Sequence, residues 1–396
     1  MILQALTSAL KNPNQKLEIS IEEWIELEFL RGRLAMAEGN FAAAIPVFEN
    51  ILSLYPDIAR VRLELGMALF NLKQDQRARY QFDLALQATL PKLAEARVES
   101  VKEAMRRRRK WQVRMKLALV PDSNINAATD DRTVSVFGLP FVLNENATEQ
   151  SGVGALAELG VTNAMHIGTN LTLDSSASVR RIEYAGSRFD DTIVSFYSGP
   201  RHATTTSAAS LQFGGFRRWF GDGSFNRGIG TQLGTSQRIG QKWATGVNAS
   251  LFWVDYDQIS DRNGFSLQVE PYVVRAVGAS GHVRAHFNYN HDFAREKNQA
   301  SATYQYGVRF RRELPMDIRF GLSGSYGTRQ FQAAQASFGV RRRDEFFSTG
   351  LDLAFRKLQI LGAALEVSYR LEKADSNINL FSYSRHRFEL GLTKEF

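Results

Sequence analysis

The sequence contains no cysteine among its 396 residues and no long hydrophobic run. The absence of cysteine excludes disulfides, thiolate catalysis and cysteine-ligated metal sites. No stretch approaches the roughly 18 consecutive apolar residues that a membrane-spanning helix needs, which excludes a helical membrane protein. A transmembrane β-barrel stays compatible with this composition, because only every second residue of its strands faces lipid.

The chain start, MILQALTSALKNPNQK, also lacks the basic segment and long apolar core of a signal peptide. If the protein is exported, we expect the numbering to begin after cleavage. The net charge is +8, and a basic chain suggests nucleic acid as a partner. Here, however, most basic residues alternate with aromatic residues instead of gathering on one helix, so we expect no nucleic-acid partner.

Residues 20–110 show a helical pattern with an internal repeat. Three positions recur 34 residues later: Gly32, Ala44 and Phe48 return as Gly66, Ala78 and Phe82. This spacing is the period of the tetratricopeptide repeat (TPR). The alternative is a helical bundle with an accidental spacing. Because two repeats are fewer than the roughly three needed for stability, we expect caps from Met1–Asn12 and from a helix over residues 91–110.

The first helices of TPR units line a concave groove. We expect that groove to bind an extended substrate protein through exposed Phe, Met and charged side chains. The alternative is that some of these side chains are buried under a capping helix. The candidate groove residues are Glu26, Phe29, Arg33, Met36, Arg60, Leu63, Met67 and Phe70.

At Trp111 the hydrophobic period changes from 3.6 to 2 residues. Val113, Met115, Leu117 and Leu119 alternate with polar or small residues, and the same pattern returns up to the C-terminus. The polar face is rich in Arg, Glu and Asn, which is typical of a water-filled lumen. We therefore predict a periplasmic helical TPR domain over residues 1–110 and a transmembrane β-barrel over residues 111–396.

The connections between strands predict the topology. Short turns are expected near residues 163–166, 199–203, 239–242, 278–281, 314–317 and 357–360. Mostly longer polar loops are expected near 122–150, 186–190, 220–225, 257–264, 292–300, 329–343 and 373–381. Six turns and seven loops make fourteen antiparallel strands. An even number puts both barrel ends on the turn side, which is the periplasmic side of outer-membrane barrels.

The chain ends on an alternating segment, SRHRFELGLTKEF. A strand that ends the chain leaves an open edge, which proteins normally cover or pair. We expect this strand to pair with the first strand and close the barrel. Its last residue, Phe396, resembles the C-terminal signal that the outer-membrane assembly machinery reads.

No catalytic set is evident, and we expect no enzymatic activity, cofactor or metal site. His282 and His286 share a strand face, but four residues along a strand separate them by about 13 Å, too far to share a metal ion. The run Arg106–Lys110 suits a helix C-terminus and anionic lipid headgroups. Steering of an acidic substrate is the alternative role of this run.

The pentapeptide Asp-Ser-Asn-Ile-Asn occurs at Asp122–Asn126 and at Asp375–Asn379. In the predicted topology both copies lie at the extracellular rim, next to the seam between the first and last strands. We predict a paired rim structure that latches a lateral gate; ordinary Asx turns are the alternative. The candidate rim residues are Asp122, Asn124, Asn126, Asp375, Asn377 and Asn379.

Two segments, Phe41–Leu86 and LALVPDSNIN (Leu117–Asn126), resemble the surface lipoprotein assembly modulator (Slam) family. The resemblance implies a protein translocator of the Gram-negative outer membrane. Its substrates would be surface lipoproteins, or secreted haem-binding proteins, with a small β-barrel-like domain. Periplasmic chaperones, the assembly machinery and membrane lipids would be further partners, and we expect a monomer. The alternatives are a TPR-barrel polysaccharide exporter and a passive porin-like channel.

Overall fold

The computed structural model describes residues 20–88, 90–108, 111–278 and 280–396. Within these ranges the helices are α1 (Ile21–Ala37), α2 (Phe41–Leu54), α3 (Ala59–Asn71), α4 (Asp75–Ala85) and α5 (Lys92–Arg108). No helix in the described part of the chain is long and apolar enough to cross a membrane. The expected cap Met1–Asn12 lies outside the described residues, as do Arg109, Lys110 and the side chains of residues 106–108.

Local signals in the sequence start the first two helices. Ser20 caps α1: its hydroxyl accepts a hydrogen bond from the Glu23 N–H at 3.2 Å, and the Glu23 carboxylate accepts one from the Ser20 N–H at 3.1 Å. Asn40 caps α2 by accepting from the Ala43 N–H at 3.2 Å. Gly39 precedes this cap with a φ of 74°, which glycine adopts without a steric penalty.

The residues that recur after 34 positions make the same packing contact in both repeats. Phe48 and Phe82 are both fully buried, at 0 % exposure. Each ring lies against a glycine: a Cβ atom on Gly32 would lie 2.3 Å from the Phe48 ring, and one on Gly66 would lie 2.7 Å from the Phe82 ring. The aromatic residue therefore fills the space over the glycine of its own repeat, so that the two helices of a repeat approach closely.

After the helices, the rest of the chain forms a closed antiparallel barrel of fourteen strands and a separate two-stranded hairpin. The strands are β1 (Trp111–Asp122), β2 (Thr133–Val136), β3 (Leu139–Val142), β4 (Gly152–His166), β5 (Leu171–Glu183), β6 (Asp191–Ala203), β7 (Ser207–Phe220), β8 (Gly223–Ile239), β9 (Trp243–Tyr256), β10 (Gly264–Val277), β11 (Gly281–Ala294), β12 (Ser301–Leu314), β13 (Ile318–Ala334), β14 (Arg341–Ile360), β15 (Ala363–Ser376) and β16 (Tyr383–Glu395). β1 pairs with β4 on one side and with β16 on the other, while β2 and β3 form a separate hairpin. The prediction of TPR helices followed by a fourteen-stranded antiparallel barrel is confirmed.

The connections divide the barrel into a turn end, where β1 begins and β16 ends, and a loop end. Three predicted turns were placed too early: the turns lie at residues 167–170, 204–206 and 361–362. The alternation of side chains continues up to these residues, so the period alone does not mark where a strand stops. The loop predicted at 220–225 is only the two-residue turn Gly221–Asp222, with Gly221 at a φ of 61°.

Candidate functional site

The barrel strands have an apolar outer face and a polar inner face. On β1, Leu117 and Leu119 are 60 % and 57 % exposed, although leucine is normally buried. Lys116, which directly precedes Leu117, points to the other face, where it forms an ion pair with Glu389. In membrane barrels, large apolar side chains on the outer face contact the lipid hydrocarbon. The face of Leu117 and Leu119 therefore faces lipid, and the opposite face lines the lumen.

The lumen has two chemically different walls. We call the strands β11 to β16 and β1 the charged wall, because their inner faces carry most of the luminal Arg, Lys, Asp and Glu. The strands β6 to β9 form the aromatic wall on the opposite side. There Phe252 packs between Tyr197 and Phe216, with ring centroids 6.0 Å away on each side. The glycines Gly214 and Gly228 leave the space that the Tyr197 and Phe216 rings occupy.

Strands β1 and β16 form the seam of the barrel. Residues 114–119 of β1 pair without interruption with β16. On the lumen side, the Lys116 ammonium donates a hydrogen bond to the Glu389 carboxylate at 2.8 Å. At the turn end, the Phe396 N–H donates to the Val113 carbonyl at 2.8 Å. The seam is therefore a regular part of the sheet, and β1 and β16 are neighbours as predicted.

The loop end of the seam is fastened by Asp122 on β1 and Arg385 on β16, which we call the seam clamp. The Arg385 Nε donates to both carboxylate oxygens of Asp122 at 3.0 Å. The Asp122 side chain is completely buried, and charge-assisted hydrogen bonds of this kind are among the stronger ones in proteins. The clamp thus ties the two strands together where the paired register of residues 114–119 ends.

Tyr184, just beyond β5, completes the environment of the clamp. Its hydroxyl donates to Asp122 at 3.4 Å. Burial and the neighbouring Asp122 carboxylate raise the pKa of Tyr184, so the phenol stays protonated and can donate. Asn124 adds another tie, because its amide donates to the Ser384 carbonyl at 3.0 Å. The clamp region therefore joins three separate parts of the barrel.

The two copies of the pentapeptide lie at the loop end on either side of β16. The first copy begins at the last residue of β1 and the second at the last two residues of β15, and both strands pair with β16. Their side chains bond to different segments. Asn126 donates to the Thr148 carbonyl at 2.7 Å, whereas Asn377 donates to the Arg341 carbonyl at 2.9 Å. The contacts that fasten the seam come from the first copy, and the latch formed by both copies stays a prediction.

The second copy of the pentapeptide is more exposed to solvent than the first. Asp375 pairs with Lys373 at 3.2 Å and its side chain is 65 % exposed. Asn379 begins the short 3-10 turn after β15. Identical sequences therefore have different environments, because only the first copy lies beside an arginine of the neighbouring strand that points at it.

The predicted groove residues lie on α1 and α3, the first helices of the two repeats. Ion pairs bridge these helices: Arg60 contacts Glu26, and Arg33 contacts Glu64 at 2.9 Å. Four apolar members of the set are half-buried against the helical core: Met36, Leu63, Met67 and Phe70. The surface is thus partly apolar and carries charges of both signs.

Phe29 does not provide the exposed ring that the sequence predicts. It is 9 % exposed and belongs to the helical core. The Phe48 ring lies 6.0 Å away, and the Arg60 guanidinium lies 4.7 Å above the Phe29 ring. Packing within the first repeat therefore uses this ring. The Arg60 side chain is the exposed group at this position instead.

Phe396 lies next to the start of β1, as expected for the closing strand. Its ring is half-exposed, and the Lys394 ammonium lies 5.0 Å from the ring centroid. The role of Phe396 as an assembly signal stays a prediction. Within the described residues, His, Asp and Glu form no group of three that could hold a metal ion.

The hairpin β2–β3 lies within residues 122–150, where the sequence predicts only a loop. Phe137 and Gly138 form its turn with φ angles of 52° and 77°, as in the type I′ turns of tight hairpins. Four large apolar side chains are strongly exposed on it: Phe137 at 74 %, Leu139 at 68 %, Phe141 at 61 % and Val142 at 75 %. The signal was two short β-prone runs, TVSV and LPFV, separated by two residues.

These features define a class of protein: an outer-membrane-type β-barrel preceded by TPR helices. A family model described as tetratricopeptide repeat matches residues 29–97. A model described as surface lipoprotein assembly modifier matches residues 111–396. The chain therefore belongs to the surface lipoprotein assembly modifier family, which confirms the resemblance, and this membership supports a location in the outer membrane.

Individual relatives are similar over most of the chain. Surface lipoprotein assembly modifier 1 of Neisseria meningitidis serogroup B is 25 % identical over 382 residues, covering 93 % of this chain and 75 % of the relative. The protein of the same name in Haemophilus influenzae is 20 % identical over 395 residues, covering 98 % and 80 %. Among solved structures, OprD of Pseudomonas aeruginosa has a TM-score of 0.39 at 6 % identity and covers 72 % of this chain and 94 % of its own.

Proposed function

We propose that this protein moves specific surface lipoproteins, or related secreted proteins, across the outer membrane to the cell surface. One observation carries the proposal: the surface lipoprotein assembly modifier model matches the entire barrel. The relatives in Neisseria meningitidis and Haemophilus influenzae, which carry that name, support it. The resemblance also implies substrates that end in a small β-barrel-like domain.

The proposed orientation puts the loop end outside the cell and the helical unit in the periplasm. Outer-membrane barrels have short turns on the periplasmic side and longer loops outside. In this barrel β1 begins and β16 ends at the turn end, which supports a periplasmic helical unit. In that compartment α1 and α3 would meet substrates and their chaperones, and Phe396 would be available to the assembly machinery.

We further propose that the substrate passes through the lumen and that the seam stays closed. The charged wall supports a polar route. Opening the seam would expose backbone groups of residues 114–119 to hydrocarbon, where each unsatisfied group costs several kcal/mol. It would also separate Asp122 from Arg385. The outer membrane holds no ATP, so folding of the substrate outside would give the movement its direction.

The test is surface display in a laboratory Gram-negative host. Lipoproteins encoded beside this gene are co-expressed with it, and intact cells are treated with a protease that does not cross the outer membrane. We expect at least one lipoprotein to be degraded only when the barrel is present. A periplasmic protein measured in the same cells controls for leakage.

If every lipoprotein stays protected while the purified barrel conducts ions or sugars freely in planar bilayers, the translocator proposal fails. A porin-like channel or a polysaccharide exporter would then account for the barrel.

A further inference from the structure

Two pairs of arginines lie directly opposite each other inside the lumen. Arg284 on β11 is the register partner of Arg309 on β12, and Arg370 on β15 is the partner of Arg387 on β16. Like charges directly opposite each other destabilise an antiparallel sheet. The barrel nevertheless has this arrangement twice within its charged wall.

Only one member of each arginine pair has a carboxylate partner. Arg284 donates to Glu270 at 2.5 Å, and Arg387 lies 3.7 Å from Glu389. Neither Arg309 nor Arg370 forms an ion pair within the described part of the chain. Each of the two therefore keeps a guanidinium that is free to bind a ligand.

Arg309 and Arg370 border a common recess. Both line two adjoining cavities, of about 410 Å³ and about 220 Å³. The wall between the two arginines is made of small residues, because Ser323 on β13 faces Gly350 on β14, and Gly350 in turn faces Arg370. The strands therefore leave room between the two guanidinium groups.

The charge of this recess is strongly unbalanced. Five Arg and Lys side chains but only two carboxylates line the larger cavity. Six Arg and Lys side chains and three carboxylates line the smaller one. Clefts lined by one sign of charge concentrate ligands of the opposite sign. The recess therefore favours an anionic ligand.

The spacing of the cations fits a polypeptide in extended form. Arg309 and Arg311 are two residues apart on the inner face of β12, a separation of roughly 6.6 Å along a strand. Alternate side chains of an extended peptide have the same spacing. Guanidinium groups bind carboxylates through two parallel hydrogen bonds, which gives arginine a geometric preference for Asp and Glu side chains.

We propose that the charged wall is a binding track for acidic segments of the passing polypeptide, with Arg309 and Arg370 as two of its free anchors. That the ligand is a polypeptide rests on the proposed function. The aromatic wall opposite would contact the apolar side chains that alternate with the acidic ones. The barrel would thus select substrates with alternating acidic and apolar or small residues.

The test measures peptide binding to the purified full-length protein in detergent. The probe is a fluorescein-labelled peptide of alternating Glu and Gly, and its Gln–Gly counterpart is the neutral reference. Fluorescence anisotropy should show binding of the Glu–Gly peptide that weakens as salt is raised, and little binding of the neutral peptide. The double variant R309Q/R370Q should bind about tenfold more weakly per arginine removed.

The matched control is R217Q/R227Q, which removes two arginines from the outer face near the loop end, where they pair with Asp257 and Asp255. Heat-modifiable migration in gels checks that both double variants fold. We expect the control to bind as the original protein does. Equal weakening in both variants, or equal binding of the Glu–Gly and Gln–Gly peptides, would overturn the proposal.

An acidic oligosaccharide of equal charge, oligogalacturonate, tests the class of ligand. We expect it to compete with the labelled peptide more weakly than unlabelled Glu–Gly peptide does. Stronger competition by the saccharide would overturn the assignment to polypeptide. Surface display separates this inference from the proposed function: normal display by R309Q/R370Q rejects the track alone, whereas no display by the original protein rejects the function.

Discussion

Two aspartates in identical pentapeptides show how much a single residue depends on its neighbours. Asp122 is buried against Arg385, while Asp375 lies at the surface with Lys373. The sequence revealed the two copies and the adjacency of β1 and β16. It could not reveal which copy would be buried, because that depends on the arginine that the pairing of β1 and β16 brings beside one copy only.

Replacing these aspartates separates a buried clamp from a surface pair. We expect Asp122→Ala to lower the free energy of unfolding by about 3–5 kcal/mol, because it leaves Arg385 as a largely buried charge without a partner. Asp375→Ala should change it by less than about 1 kcal/mol, as is usual for exposed ion pairs. Guanidinium unfolding in detergent measures both, and equal effects would contradict the assigned roles.

The contact between Gly32 and Phe48 allows a second prediction about a single residue. Gly32→Ala should cost about 1–3 kcal/mol, because its Cβ would meet the buried Phe48 ring and overpack the first repeat. Gly39→Asn is the control: a Cβ atom on Gly39 would have no neighbour within 4 Å, and asparagine tolerates its left-handed φ. Thermal unfolding followed by helical circular dichroism compares them. A larger loss for Gly39→Asn would argue against the packing role of Gly32.

At the scale of elements, the change of period at Trp111 and the alternation beyond it were sufficient to predict the strands. They were not sufficient for strand ends, because alternation continues into tight turns such as that after β14 at residues 361–362. The groove was predicted from helix positions alone. Helix positions cannot show that the Phe29 ring packs against Phe48 and lies under the Arg60 guanidinium. The free luminal arginines also escaped prediction, since they depend on strand register.

The hairpin β2–β3 can be tested through its turn. Phe137 has a left-handed conformation, which costs a bulky residue roughly 1–2 kcal/mol. Phe137→Asn should therefore slow hydrogen exchange of residues 133–142, because asparagine adopts this conformation more readily. Phe141→Asn, within β3, changes an exposed aromatic residue without relieving the turn. Faster exchange in Phe137→Asn than in Phe141→Asn would contradict the assigned strain.

For the whole molecule, the proposed luminal route can be tested by fixing the seam closed. The lack of native cysteine makes paired cysteines specific probes. L117C/L392C joins β1 to β16 across the seam, and L365C/L392C joins β15 to β16 as the control, since both pairs are register partners. Because we propose a luminal route, we expect both oxidised variants to display substrate normally in the protease assay. Loss of display in the seam pair alone would assign transit to the seam.

Adjacent residues on opposite faces of β13 give the most direct measurement of luminal transport. Ser323 lines the lumen cavity, whereas Leu322 is exposed on the outer face. A photo-crosslinking amino acid is placed at each position in turn, and a displayed lipoprotein is stalled in transit by fusion to a tightly folded domain. We expect crosslinks to the substrate from position 323 and none from position 322. Crosslinks from 322 without any from 323 would contradict passage through the lumen.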